Sequence, residues 1–170
     1  MLLIGMIATK KDIQEIKKNI ISDEINIIGI NEESINNLKN IKFDEIIIMK
    51  NIKLKDETYK YIGEIISKAK YLIVNVDMEI DVLKKTKIKN PIKLITFGFN
   101  PKATITISSV KDDKIILCLQ RNIEKTNKEI IEAKEIEIKN PESKKIYNNL
   151  VIFIIKGLHN LQKNATNIEE

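Results

Sequence analysis

The sequence predicts an α/β fold: a Rossmann-like, mostly parallel sheet with helices on both faces, followed by an antiparallel β-meander and a C-terminal helix. Two observations predict it. Over the first hundred residues, short apolar runs alternate with segments of helical periodicity, the pattern of parallel strands covered on both faces. After Gly98 the period changes to two, the pattern of antiparallel strands with one wet face.

The elements follow in order. Leu2–Ala8 reads as a buried strand, and Ile13, Ile16 and Ile20 recur at helical spacing within Lys10–Ile21. Ile25–Ile30 is a second strand, followed by a short helix near Glu32–Leu38, and Glu45–Met49 is a third. Asp56–Lys70 is an amphipathic helix with Tyr59, Ile62, Ile66 and Ala69 on one stripe. Tyr71–Val76 and Ile92–Phe99 are the fourth and fifth strands. Beyond them, Ala103, Ile105 and Ile107 alternate with Thr104, Thr106 and Ser108. Lys111–Lys114 turns the chain, Ile115, Leu117 and Leu119 alternate on the return, and Glu135–Lys139 alternates again. Asn140-Pro141-Glu142-Ser143 stops this run and starts a helix over about Ser143–Leu161. Its Leu150–Ile155 stretch is apolar nearly all round, which calls for deep burial or a homodimer contact through this helix.

Composition sets the class. With 43% hydrophobic and 31% charged residues in 170, the chain can bury a core, and it shows no linker rich in Pro, Gly or Ser. One domain over residues 1–163 and a polar tail at 164–170 are expected. The net charge of +5 comes almost wholly from lysines interleaved with glutamates; Arg121 is the single arginine and there is no tryptophan. Such mixed charge reads as solvated surface, so no nucleic acid is expected as a partner. Cys118, the only cysteine, sits in the apolar run Ile115–Leu119, where a buried, inert thiol is expected. No intrachain disulfide can form, which suits the cytoplasm. The start, Met1-Leu2-Leu3-Ile4-Gly5, has no basic lead, and no apolar run approaches the roughly 18 residues of a membrane span.

Candidate chemistry is sparse. Open α/β sheets bind ligands beyond the carboxyl ends of their strands. After the first strand, Ala8-Thr9-Lys10-Lys11 has no glycine to let its backbone close around a phosphate. Thr9 and Lys10 remain able to meet an anion at the helix start; the competing role is a Thr9 cap and a solvated Lys10. A receiver-type regulatory domain would need acidic residues after the first strand and an aspartate ending the third, and Asp44 precedes that strand instead. His159 is the only histidine, so neither a metal cluster with Cys118 nor a Ser-His-Asp triad is expected, and no catalytic residue is assigned. Two strand ends carry short polar groups suited to a ligand's base or ribose, or equally to turns: Asn75-Val76-Asp77, and Gly98-Phe99-Asn100.

Asn75-Val76-Asp77, Thr96-Phe97-Gly98 and the hairpins from Ala103 to Lys139 resemble the central, ATP-binding domain of the Mur ligases. In that family an Asn-x-Asp strand leads through a helix to a Thr-Tyr/Phe-Gly strand and a meander. The resemblance covers about residues 71–139, and it implies that Asn75 would contact an adenine. The family's Gly-Lys-Thr loop after the first strand, its magnesium-binding Glu and His, and its substrate and C-terminal domains have no counterpart in the chain. Ligation through an acyl phosphate needs lysine and metal on the γ-phosphate. The resemblance therefore implies a shortened, non-catalytic, bacterial-type cytosolic module that binds a small ligand or a protein partner, through Asn75, Asp77, Gly98, Asn100, Thr9 and Lys10. No cofactor is expected, nor any ATP-dependent ligase activity. The alternatives are a nucleotide-dependent, ligase-like enzyme with an atypical phosphate site, and a homo-oligomeric interaction protein.

Overall fold

A computed structural model describes residues 1–20, 22–139 and 145–161. The chain forms two compact units, Met1–Thr96 and the part from Phe97 onward, and the division falls inside a strand rather than at a linker.

The first unit runs β1 (Leu2–Ile7), α1 (Lys10–Asn19), β2 (Ile25–Gly29), α2 (Glu32–Leu38), β3 (Glu45–Ile48), α3 (Asp56–Ser67), β4 (Tyr71–Asn75) and α4 (Asp81–Lys85). β1 pairs in parallel with β2 on one side and β3 on the other, and β4 pairs in parallel with β3. The order β2-β1-β3-β4 reverses direction at β1, as in doubly wound folds. Alternation along the strands sorts the core. Ile7, Ile46, Ile48, Leu72 and Val74 share a buried cluster with Ile35 and Leu38 of α2, Tyr59, Ile62, Ile65 and Ile66 of α3, and Val82 of α4. Ile4, Met6, Ile47 and Ile73 occupy the opposite face and are equally buried. On that face Ile13 of α1 approaches Gly29, so helices lie on both sides of the sheet, as the sequence predicts. Gly5 has a packing reason. A Cβ there would stand 2.7 Å from the Cδ1 atoms of both Ile30 and Ile46.

Local chemistry explains the ends. Asn31 and Ser34 form a reciprocal capping box on α2, each side chain accepting from the other's backbone N–H. After α4 the chain is tied to α3: Ser67 Oγ accepts from Lys89 N–H at 2.9 Å, and Asn90 donates to the Ser67 carbonyl.

β5 (Lys93–Gly98) crosses the division. The second unit continues with β6 (Ile105–Val110), β7 (Lys114–Leu119), β8 (Ile123–Glu124), β9 (Ile130–Ile131), β10 (Glu135–Lys139) and α5 (Ile146–Leu158). β6, β7 and β10 are the expected antiparallel set, with β7 in the middle and the β6–β7 turn closed by Lys111 N–H donating to the Lys114 carbonyl. Ile115, Leu117 and Leu119 take the buried face. Two details differ from a plain meander. β6 is parallel to β5, through Phe97 opposite Ile105 and Gly98 opposite Thr106. β8 and β9, in the stretch of chain that links β7 to β10, form their own two-stranded ribbon. In that ribbon, hydrogen bonds with Asn127 and Lys125, and then the Lys125 charge, hold the Glu129 carboxyl below its ordinary pKa.

α5 is core. Leu150, Val151 and Ile155 are fully buried, Ile154 and Leu158 nearly so, while Ile152 and Phe153 are half-buried. The wide apolar side expected as a subunit contact thus includes Val151 and Ile155, which are already covered within one chain. The helix is followed by His159, whose N–H donates to the Ile155 carbonyl. The expected start at Ser143 and the tail at 164–170 lie outside the described residues. Cys118 is half-buried rather than buried, with Gln120 Nε2 3.4 Å from its Sγ. Among the described residues, no helix is long and apolar enough to cross a membrane.

Candidate functional site

In a doubly wound sheet the loops leaving neighbouring strands part where the strand order reverses, and the crevice opens beyond their carboxyl ends. In the first unit that point lies between β1 and β3. Thr9 and Lys10 follow β1 there, Lys50 follows β3, and all three are exposed. Asn75 ends β4, one strand beyond β3, so strand spacing sets it about 10 Å from the end of β1.

Each sequence-predicted residue has a definite local role. Thr9 is the N-cap of α1; its hydroxyl accepts from the Asp12 N–H at 3.1 Å and also donates to the Asp12 carboxylate. Lys10 begins that helix and faces solvent. Asn75 is fully buried. Its Nδ2 donates to the Met49 carbonyl at 3.5 Å, and its Oδ1 accepts from the Asp77 N–H at 3.0 Å. One side chain therefore ties the end of β4 to the end of β3 and folds the next residues into an Asx turn. That turn leaves Asp77 exposed.

Gly98 and Asn100 belong to the second unit, where they solve a connection problem. Parallel neighbours usually need a crossover of a dozen residues or more. Only residues 99–104 join β5 to β6, and only two residue pairs form. Gly98 makes the reversal with φ 146°. Asn100 closes the turn, its side chain accepting from Lys102 N–H and its carbonyl from Ala103 N–H, both at 2.9 Å. A side chain at Gly98 would be strained at that φ, so Gly98→Ala is expected to destabilise the fold by about 1–3 kcal/mol, read as a lower denaturant midpoint at unchanged slope.

Sequence reasoning missed one pair on the carboxyl edge. Asn51, after β3, donates to the Asp81 carboxylate at 2.9 Å, and Asp81 N–H donates back to Asn51 Oδ1 at 3.0 Å. The pair joins the β3–α3 loop to the start of α4, 30 residues away, and neither residue stands out locally. It also missed Glu45, a carboxylate fully buried at the head of β3 and hidden by the apolar residues after it. Among the described residues, no group of His, Cys, Asp and Glu could hold a metal ion. No protein-family model matches the chain, and no curated protein matches it.

Proposed function

We propose that this chain is a non-catalytic, Mur-ligase-like module that binds a small ligand or a protein partner at the carboxyl edge of its first unit. The observation that carries this reading is the reversal of strand order at β1, with Thr9, Lys10 and Lys50 at the point where such sheets take their ligands. Two exposed lysines beside a helix N-terminus favour an anionic ligand. Asn75, the position that the Mur-ligase resemblance assigns to an adenine, is committed to the β3–β4 edge through Met49 and Asp77. That commitment supports a binding platform over a working ligase centre.

The test is a thermal-shift series with nucleotides and peptidoglycan precursors, beside an assay of ATP turnover. A ligand present at about a hundred times its Kd should add about 2.7 kcal/mol of stability. The expected result is a shift that Lys10→Ala reduces, with no ATP turnover. ATP hydrolysis by pure protein that Lys10→Ala abolishes would favour the ligase-like enzyme instead.

A further inference from the structure

We infer that β10 is a docking edge for a second copy of this chain, joining antiparallel about a two-fold axis at Glu137. β10 lies at the end of its sheet and pairs only with β7 among the described residues. The hydrogen-bond alternation says which of its backbone groups are open. Leu119 N–H, at the end of β7, donates to the Lys134 carbonyl, and the next N–H, of Gln120, donates the other way, to the Thr104 carbonyl before β6. In an antiparallel ladder this bonding alternates residue by residue. Ile136 and Ile138 therefore turn their backbone groups to β7, and Glu135, Glu137 and Lys139 turn theirs outward.

A two-fold axis at Glu137 matches this edge to itself. It sets Glu135 opposite Lys139 of the second copy, Glu137 opposite Glu137, and Lys139 opposite Glu135. All three outward residues then face outward residues, so each open N–H finds a carbonyl. The intervening pairs set Ile136 opposite Ile138, and both are half-buried in the single chain. The one like-charge pair, at the axis, is relieved within each copy, because Lys114 Nζ lies 2.7 Å from the Glu137 carboxylate. Sliding the register by two residues in one direction opposes Glu135 to Glu137. Sliding it in the other moves the axis to Ile138 and sets Glu137 opposite Lys139, but it carries Glu135 past the end of the partner strand, so three of the five residues of β10 pair where the axis at Glu137 pairs all five. Charges on edge strands commonly repel further strands; here the two signs sit where a two-fold axis brings them together.

The experiment is sedimentation of the full chain over a range of concentration. The parent is expected to rise with concentration from the 19.6 kDa of one chain to twice that mass. Lys139→Glu sets carboxylate against carboxylate at both ends of the pairing and is expected to hold the chain at single mass, as is Glu135→Lys with the opposite sign. The combined variant Glu135→Lys/Lys139→Glu restores both pairs and is expected to recover the dimer. Circular dichroism on each variant checks the fold, which these exposed positions should leave intact. A parent that stays at single mass at every concentration overturns the inference. So does a Lys139→Glu chain that still dimerises, or a combined variant no better than either single one.

Discussion

Phe43→Ala is expected to destabilise the protein by about 3–5 kcal/mol. Phe43 is fully buried just before β3, in the cluster that joins the sheet to α2, α3 and α4. Its ring packs where Gly5 leaves room; a Cβ on Gly5 would lie 3.1 Å from the Phe43 ring. Truncation removes apolar surface from contact and leaves a cavity that strands on a hydrogen-bonded ladder cannot close. Urea unfolding followed by circular dichroism gives the measurement. A loss below about 1 kcal/mol would mean that the site collapses freely and that the cluster is loosely packed.

The second large effect is expected at Leu150→Ala, at about 2–5 kcal/mol. Leu150 is fully buried on α5, beside Val151 and one turn before Ile154. Phe153 on the same helix is half-buried. Its ring still borders solvent, so Phe153→Ala should cost less than Leu150→Ala although it removes more atoms. Reversal of that order in the same unfolding assay would place Phe153 in the core and contradict the burial described for α5.

Much of the fold was legible because its signals are local. The runs at Leu2–Ile7 and Tyr71–Asn75 and the helical spacing in Asp56–Ser67 each follow from a few neighbouring residues. Helix ends were legible where a cap is written into the chain, as at Thr9. Parallel pairing of β5 with β6 was not legible. Period-two alternation shows that a strand exists, but not which neighbour it takes or in which direction. The short α4 was also missing from the periodic pattern, because five residues are too few to show a helical stripe.

The candidate site divides in the same way. Sequence alone picked out Thr9, Lys10, Asn75, Asp77, Gly98 and Asn100 as short polar, charged or flexible groups near strand ends; Asn75 and Gly98 end β4 and β5, Asp77 and Asn100 lie two residues beyond them, and Thr9 and Lys10 cap and begin α1. It could not separate a ligand contact from a turn, since both need the same small polar atoms. Tertiary structure decided where those atoms are spent. Asn75 binds a carbonyl 26 residues away, Gly98 makes the turn that leads from β5 to β6, and Asn51 in the β3–α3 loop meets Asp81 at the start of α4. Hydrophobic period thus determined the layers of this protein by itself. The partners of its polar groups had to wait for the packing, because a hydrogen bond joins atoms that only the folded chain brings within about 3 Å.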